Sequence, residues 1–131
     1  MARMKRQNVF DGMESTGGYA RAVRVGPHIH VSGTTSLDPQ GNAVGGDVYE
    51  QTHESYRKIA AALQKCGASM KDVVRVTAYI TDMTQGAAFL RAHAEAMAGN
   101  TPAAALIGTT ALLKPELLIE IEAYAILAED A

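Results

Sequence analysis

Alternating apolar and polar residues predict short strands in the first part of the chain. The segment 20–25 alternates and stops at a Gly-Pro pair, 26–27, and the segment 28–32 follows at once, which is typical of a hairpin. A Gly-Gly pair at 45–46 then closes a third extended piece around 43–44. We therefore expect two or three strands before the first helix.

Two amphipathic helices are predicted by apolar or small residues that recur every three or four positions. Asp47, with Glu50 three residues later, has the sequence of a capping box at the start of the first helix. That helix is expected to end at about Cys66, because Gly67 suits the left-handed position that often follows a helix. The second helix is predicted over 84–98 and ends before a Gly-Asn pair.

Three further strands are predicted at 73–80, 104–110 and 117–127. The resulting order, β-β-(β)-α-β-α-β-β, indicates an α+β fold in which a mixed sheet carries both helices on one face. A chain of 131 residues is expected to form a single domain, 1–131, with its core over about 17–127. In the 73–80 strand, strict alternation predicts one apolar face made of Val74, Val76, Ala78 and Ile80.

The second face of this sheet has no predicted element to cover it. Val31, Tyr79 and Ile126 are expected on that face. An exposed apolar face of this size is typical of a surface buried by other copies of the chain. The pattern therefore predicts a homo-oligomer.

Composition and charge exclude several classes of partner. The composition, 47% apolar and 20% charged residues, is ordinary for a globular protein. The formal net charge of −2 gives too weak an electrostatic field to attract nucleic acid. The basic lead over 1–10 is not followed by an apolar run, so we expect no membrane partner and a cytoplasmic location. Cys66 lies at an apolar helix position, which favours a buried thiol over a nucleophile.

Six short motifs follow one another along the chain from about 17 to 126. They are Gly18-Tyr19-Ala20-Arg21-Ala22-Val23, Val31-Ser32-Gly33, Gly67-Ala68-Ser69, Asp72-Val73-Val74-Arg75-Val76, Tyr79-Ile80-Thr81-Asp82-Met83 and Ile119-Glu120-Ile121-Glu122-Ala123. In this order and spacing they resemble the Rid family, also called the YjgF or endoribonuclease L-PSP-like family. The resemblance implies a chorismate-mutase-like α+β subunit, sheets that form a barrel-like homotrimer, and small-molecule clefts between subunits.

In the best-studied branch, the resemblance implies hydrolysis of reactive imines and enamines to a 2-oxo acid and ammonia, without a cofactor or metal. Tyr19, Ser32, Gly33 and Glu120 match positions that this branch uses in its cleft. The branch also has an arginine after a Pro-Ala pair near the C-terminus. Here the equivalent position is Ala104 or Ala105, depending on where a one-residue length difference is placed.

The missing arginine changes what the cleft is expected to recognise. A guanidinium binds a carboxylate through two parallel charged hydrogen bonds, which alanine cannot provide. We therefore expect weak activity on ordinary 2-imino acids, although Glu120 retains the ability to hold an attacking water. Arg91 and His93, on the predicted second helix, are candidate replacement cations, but a helix-borne arginine is more often solvated.

Each candidate residue also has a simpler interpretation. Glu120 and Glu122 are also typical of two carboxylates on a solvated strand face. Tyr19 could pack against its neighbours without binding a ligand, and Ser32-Gly33 is also typical of an ordinary strand end. The alternating His28 and His30 resemble a pair of metal ligands, yet no third ligand has sensible spacing, so we expect no metal.

Three functions compete at this stage. The first is a homotrimer that hydrolyses an imine, an enamine or another C–N substrate with water held by Glu120. The second is a non-catalytic small-molecule-binding or regulatory protein of the same fold. The third, a ribonuclease or translation inhibitor, is disfavoured by the acidic charge balance.

Overall fold

Two helices pack on one face of a six-stranded mixed sheet in the computed structural model, which describes residues 3–12 and 14–128. The predicted α+β class is confirmed. Short 3₁₀ turns at Met70–Asp72 and Met83–Gln85 precede the fourth strand and the second helix. The elements are β1 (Arg6–Val9), β2 (Ala22–Val25), β3 (His28–Thr34), α1 (Val48–Lys65), β4 (Val73–Ile80), α2 (Gly86–Met97), β5 (Ala103–Gly108) and β6 (Ile119–Ile126).

The strand order is β1-β2-β3-β6-β4-β5, and every neighbouring pair is antiparallel except β4 and β5. This order places β6, the last strand in the chain, in the middle of the sheet. Its residues Ile119, Ile121, Ala123 and Ala125 are buried towards the helices. The side chains between them lie on the other face, which the described helices do not cover.

The first strand and the third extended piece differ from the prediction. Three of the four residues of β1 are polar and exposed, so no apolar alternation marks it, and it is held as an edge strand by pairing with β2. The piece around 43–44 is not a strand of the sheet, because it forms an isolated bridge between Leu37 and Ala43. Three strands do precede α1, but one of them is β1.

A β-bulge changes the face that one residue of β4 occupies. The register between β4 and β6 shifts between Val73 and Arg75, so Val73 is 2% exposed and Val74 is 41% exposed. Strict alternation therefore placed Val74 on the buried face wrongly. Val31 is also buried towards the helices, not on the second face, whereas Tyr79 lies on the face opposite the helices, as predicted.

The ends of α1 largely follow the expected chemistry. Asp47 accepts a hydrogen bond from the Glu50 amide, but the Glu50 carboxylate reaches the Gly46 amide, so the predicted reciprocal bond to Asp47 is replaced by one to its neighbour. Gly67 adopts φ = 80°, as predicted for a residue that follows the helix. Cys66 is buried, and burial raises the pKa of its thiol, so the neutral form is favoured.

Gln51 of α1 fixes the approach to β6. Its side chain is 1% exposed, and its amide nitrogen donates to the carbonyl oxygens of Gly45 and Glu116. Its amide oxygen accepts from the backbone amide of Leu118. The start of the central strand is thereby tied to the helix layer.

Among the described residues, no helix is both long enough and apolar enough to cross a membrane.

Candidate functional site

A cavity of about 490 Å³ lies where β3 and β6 meet the loops that precede β2 and α1. Tyr19, Gly33 and Glu120, which are far apart in sequence, all line it. Its remaining walls come from Arg21, from loop residues and from the exposed side of α1; the loop residues are Asp11, Gly12, Glu14, Thr35, Leu37, Asp38, Pro39 and Leu113. The fold thus brings three of the predicted site residues to one place.

Glu120 lies on β6 between two buried isoleucines, so alternation directs its side chain away from the core. The residue is half-buried, and desolvation raises the pKa of its carboxyl group above the usual 4.5. The positive charge of Arg21 opposes this shift, and the negative charge of Glu122 adds to it. Glu120 is therefore a stronger base than a fully exposed carboxylate.

Gly33 leaves the space that the Glu120 carboxylate occupies. A Cβ atom at Gly33 would lie 2.9 Å from Oε2 of Glu120, which is closer than side chains normally approach. Because Gly33 has no side chain, the Glu120 carboxylate can lie directly against the backbone of β3.

Tyr19 and Ser32 have different roles. Tyr19 is 52% exposed at the edge of the cavity, with its ring beside Gly17. The Ser32 hydroxyl donates to the carbonyl oxygen of Ala20 at 2.6 Å, so it fastens β3 to the segment that leads into β2. Within the described chain Ser32 does not line the cavity and is placed to support it.

Ala104 and Ala105 lie on β5, the edge strand, and neither lines this cavity. Ala105 pairs with Thr77, which itself pairs with Glu122, so Ala105 shares a sheet face with Glu122 and Glu120. Ala104 pairs with the buried Val76 and belongs to the helix-covered face. Of the two alanines, Ala105 has the orientation that would direct a longer side chain to the face of Glu120.

Arg91 and His93 lie on α2 and contact α1. The Arg91 guanidinium is 4.4 Å from the centre of the Tyr49 ring, a cation–π arrangement. The Nδ1 atom of His93 lies 2.6 Å from the Tyr56 hydroxyl, and burial lowers the pKa of His93. Neither residue lines the cavity around Glu120 within one subunit. Their role in a cleft between subunits stays a prediction.

Three cations line the cavity, and none of them was a site candidate from the sequence: Arg21, Arg57 and Lys58. Arg21 is only 8% exposed, and its Nη2 atom donates to the Gly33 carbonyl oxygen at 2.6 Å. Lys58 of α1 donates to the carbonyl oxygens of Thr35 and Leu37, and its pKa is lowered first by burial and then by Arg21. Arg21 belongs to the same sequence motif as Tyr19 and follows it by two residues. Its place in that motif was the available signal.

His28 and His30, the alternating pair on β3, both contact Tyr124 of β6. His28 contacts the Tyr124 hydroxyl, and His30 stacks on the Tyr124 ring with 4.6 Å between ring centres. Both histidines are thus engaged with an aromatic side chain on the uncovered face. Over residues 3–12 and 14–128, no group of three or more His, Cys, Asp or Glu side chains is placed to hold a metal ion.

Comparison with known proteins gives consistent matches. The family model described as endoribonuclease L-PSP matches residues 11–127. A RutC family protein from Pyrococcus abyssi is 38% identical over 110 residues, which cover 83% of this chain and 86% of the relative. The 2-iminobutanoate/2-iminopropanoate deaminase of Mus musculus is 31% identical over 111 residues, covering 84% and 82%. A crystal structure of a YjgF-family member from Mycobacterium tuberculosis matches with a TM-score of 0.86 and 39% identity, covering 94% of this chain and 100% of that one.

Proposed function

The chain belongs to the endoribonuclease L-PSP family, also called the Rid or YjgF family, and on that premise we propose that it hydrolyses a small imine or enamine. The observation that carries the proposal is the half-buried Glu120 carboxylate at a cavity that Gly33 and Tyr19 also line. The mouse relative named as an imine deaminase supports the reaction class.

The chemistry requires one base within reach of a water molecule. An enamine first tautomerises to the imine, with a proton moving from nitrogen to carbon. Glu120 accepts a proton from water as the water oxygen bonds to the C=N carbon and the C=N π bond breaks, and it returns that proton to the nitrogen to give a carbinolamine. Collapse of this intermediate breaks the C–N bond and forms the C=O bond, while the hydroxyl proton passes through Glu120 to the nitrogen, which leaves as ammonia. A carboxylate whose pKa is raised is suited to taking and returning this proton at neutral pH.

A homotrimer with clefts between its subunits is part of the proposal. Its support is the sheet face opposite the helices, which carries Tyr79 and Tyr124 and is uncovered in the single chain. A second subunit packed there would enclose the open side of the cavity, exclude bulk water and place α2 residues such as Arg91 and His93 near a neighbouring cleft. The proposed location is cytoplasmic, without nucleic-acid or membrane partners.

The test is hydrolysis of 2-aminoacrylate and 2-iminobutanoate generated in situ by a pyridoxal-phosphate enzyme. Ammonia and 2-oxo-acid release are measured with and without the purified protein, together with an uncharged imine of similar size. Acceleration of at least one substrate above the buffer rate supports the proposal. Buffer-rate hydrolysis of all three at micromolar protein would contradict it.

The second candidate is a binding or regulatory protein that retains the cavity without turnover. The observation that favours it is alanine at both positions where the family arginine is expected. Saturable binding of 2-oxobutanoate, measured by NMR titration, together with unaccelerated hydrolysis would identify this function.

Replacing Gly33 with alanine is expected to lower kcat by about 10- to 100-fold, because the added Cβ forces the Glu120 carboxylate to move. The carboxylate is the flexible end of its side chain, so the free energy of unfolding should change by less than about 1 kcal/mol. The matched control is Gly46→Ala, because a Cβ there meets no atom within 4 Å. Equal rates for the two variants would show that the position of Glu120 is not critical.

A further inference from the structure

The Arg21 guanidinium is a buried charge without a partner carboxylate. Nη2 is bound to the Gly33 carbonyl oxygen, while Nε is enclosed and has no hydrogen-bond partner among the described residues. The ion pairs found in the described part of the chain are His53 with Glu95 and Arg57 with Glu54, so none involves Arg21. A cation this deeply buried normally has an anionic partner, because desolvation is costly.

The other acidic side chains at the cavity are already engaged. Glu14 accepts from the amides of Asp11 and Gly12, and a hydrogen bond with Glu14 raises the pKa of Asp11. Asp38 accepts from two amides of its own turn, and Glu54 pairs with Arg57. Among the described residues, none of these carboxylates forms an ion pair with Arg21, and its interaction with Asp11 is a longer-range attraction between charges.

Arg21 and Glu120 both lie against Gly33, and the described ion pairs do not join them. The guanidinium is 2.6 Å from the Gly33 carbonyl oxygen, and Oε2 of Glu120 is 2.9 Å from the position of a Gly33 Cβ. Both groups line the same cavity. One small molecule is thus within reach of a fixed cation and a base at the same time.

We propose that Arg21 is the carboxylate anchor of this cavity, so that the ligand is a small 2-imino or 2-oxo acid held with its C=N or C=O carbon at Glu120. This inference deepens the proposed function and rests on it for the reacting group. In such acids the carboxylate is bonded directly to the reacting carbon, and the approach of both Arg21 and Glu120 to Gly33 suits that arrangement. The anchor therefore lies before β2, not on β5 where Ala104 and Ala105 stand.

Arg21 is oriented before a ligand binds, because one edge of its guanidinium donates to the Gly33 carbonyl oxygen. This bond fixes the plane of the group and reduces the entropy lost on binding. Lys58 adds a second positive charge at the same cavity. A carboxylate at this position would meet an oriented donor in a partly desolvated site, where charged hydrogen bonds are strong.

The experiment measures the affinity for 2-oxobutanoate and for butanone, its analogue without the carboxylate, by NMR titration of the full-length protein. Wild type is expected to bind 2-oxobutanoate at least about 10-fold more tightly, since a charged hydrogen bond contributes roughly 10- to 100-fold. Arg21→Gln should lose that preference, and Arg21→Lys should keep part of it.

The matched control is Arg24→Gln. Arg24 lies on β2 and also donates to backbone carbonyl oxygens, those of Gly26 and Cys66, but it does not line the cavity. This variant should keep the wild-type preference. An unchanged preference in Arg21→Gln, or none in wild type, would overturn the anchor. Because binding is measured without turnover, that result leaves the hydrolysis test separate, and turnover of the uncharged imine alone would sustain the hydrolase while rejecting the anchor.

Discussion

Replacing Glu120 with glutamine is expected to reduce kcat for imine hydrolysis by about 10²- to 10⁴-fold, the range typical of a lost general base. Glutamine has nearly the same shape, so it fills the space beside Gly33 but cannot accept a proton from water. The fold should be preserved, because the substitution leaves the backbone pairing of β6 with β4 intact and the neighbours Ile119 and Ile121 remain buried. The measurement is the steady-state rate of ammonia release at saturating substrate.

The control for this variant is Glu122→Gln. Glu122 lies on the same strand face, but its carboxylate accepts from the Tyr79 hydroxyl and is exposed. We expect its kcat to change by no more than a few fold. If Glu120→Gln keeps the wild-type rate, water is activated by another group and the assignment of Glu120 is wrong.

The pH dependence of the hydrolysis rate is a second test of Glu120 as the base. Glu120 acts as a base only when it is ionised, so the wild-type rate should fall as the pH drops through its pKa. Burial raises that pKa, so the acid limb is expected above the usual 4.5 of an exposed glutamate. Arg21 stabilises the ionised form, and Arg21→Gln should therefore move the limb to still higher pH. A limb that stays in place in that variant would indicate that the two groups do not interact.

Replacing Gln51 with alanine is expected to lower the free energy of unfolding by about 3 to 5 kcal/mol. The change removes three hydrogen bonds of the buried Gln51 side chain and leaves the carbonyl oxygens of Gly45 and Glu116 and the amide of Leu118 without that partner in a partly buried place. Chemical denaturation at a fixed protein concentration measures the effect, since an oligomer's stability depends on concentration.

Gln64→Ala is the matched control for this stability prediction. Gln64 lies on the same helix, but it is exposed, so its loss should change the free energy of unfolding by less than about 0.5 kcal/mol. A similarly small effect for Gln51→Ala would mean that water replaces the lost amide and that the link between α1 and β6 is not needed for stability.

Sequence periodicity predicted the parts of the fold that bury a regular apolar face. Strand β4 covers the predicted segment 73–80, and α1 ends just before Gly67, as the glycine indicated. Edge strand β1 was not predicted because its polar residues pair through the backbone alone, which leaves no pattern in the side chains. The misplacement of Val74 has a similar origin, because a β-bulge depends on pairing between distant segments.

The candidate site was predictable only where a motif preserved the residue types. Glu120, Gly33 and Tyr19 belong to motifs of the family, and the structure brings them together at one cavity. Arg21 also belongs to the first motif, but the resemblance implies no role for it, and an arginine in an alternating segment is ordinarily solvated. Its burial and its contact with Gly33 arise from the tertiary pairing of segment 20–21 with β3, which no local pattern reveals.

The separation between strand and loops around the cavity has an evolutionary consequence. Glu120 is carried by the central strand, where each neighbouring residue is committed to the core, so mutation there is constrained by stability. Arg21 lies outside the regular strands but is buried between Ala20 and Ala22, so replacements there are constrained by packing as well. The base and its neighbouring cation are therefore both tied to the stability of the subunit. Changes of specificity would be tolerated first at the exposed wall of the cavity, where Tyr19 stands, and a new substrate would not require a new fold or a new base.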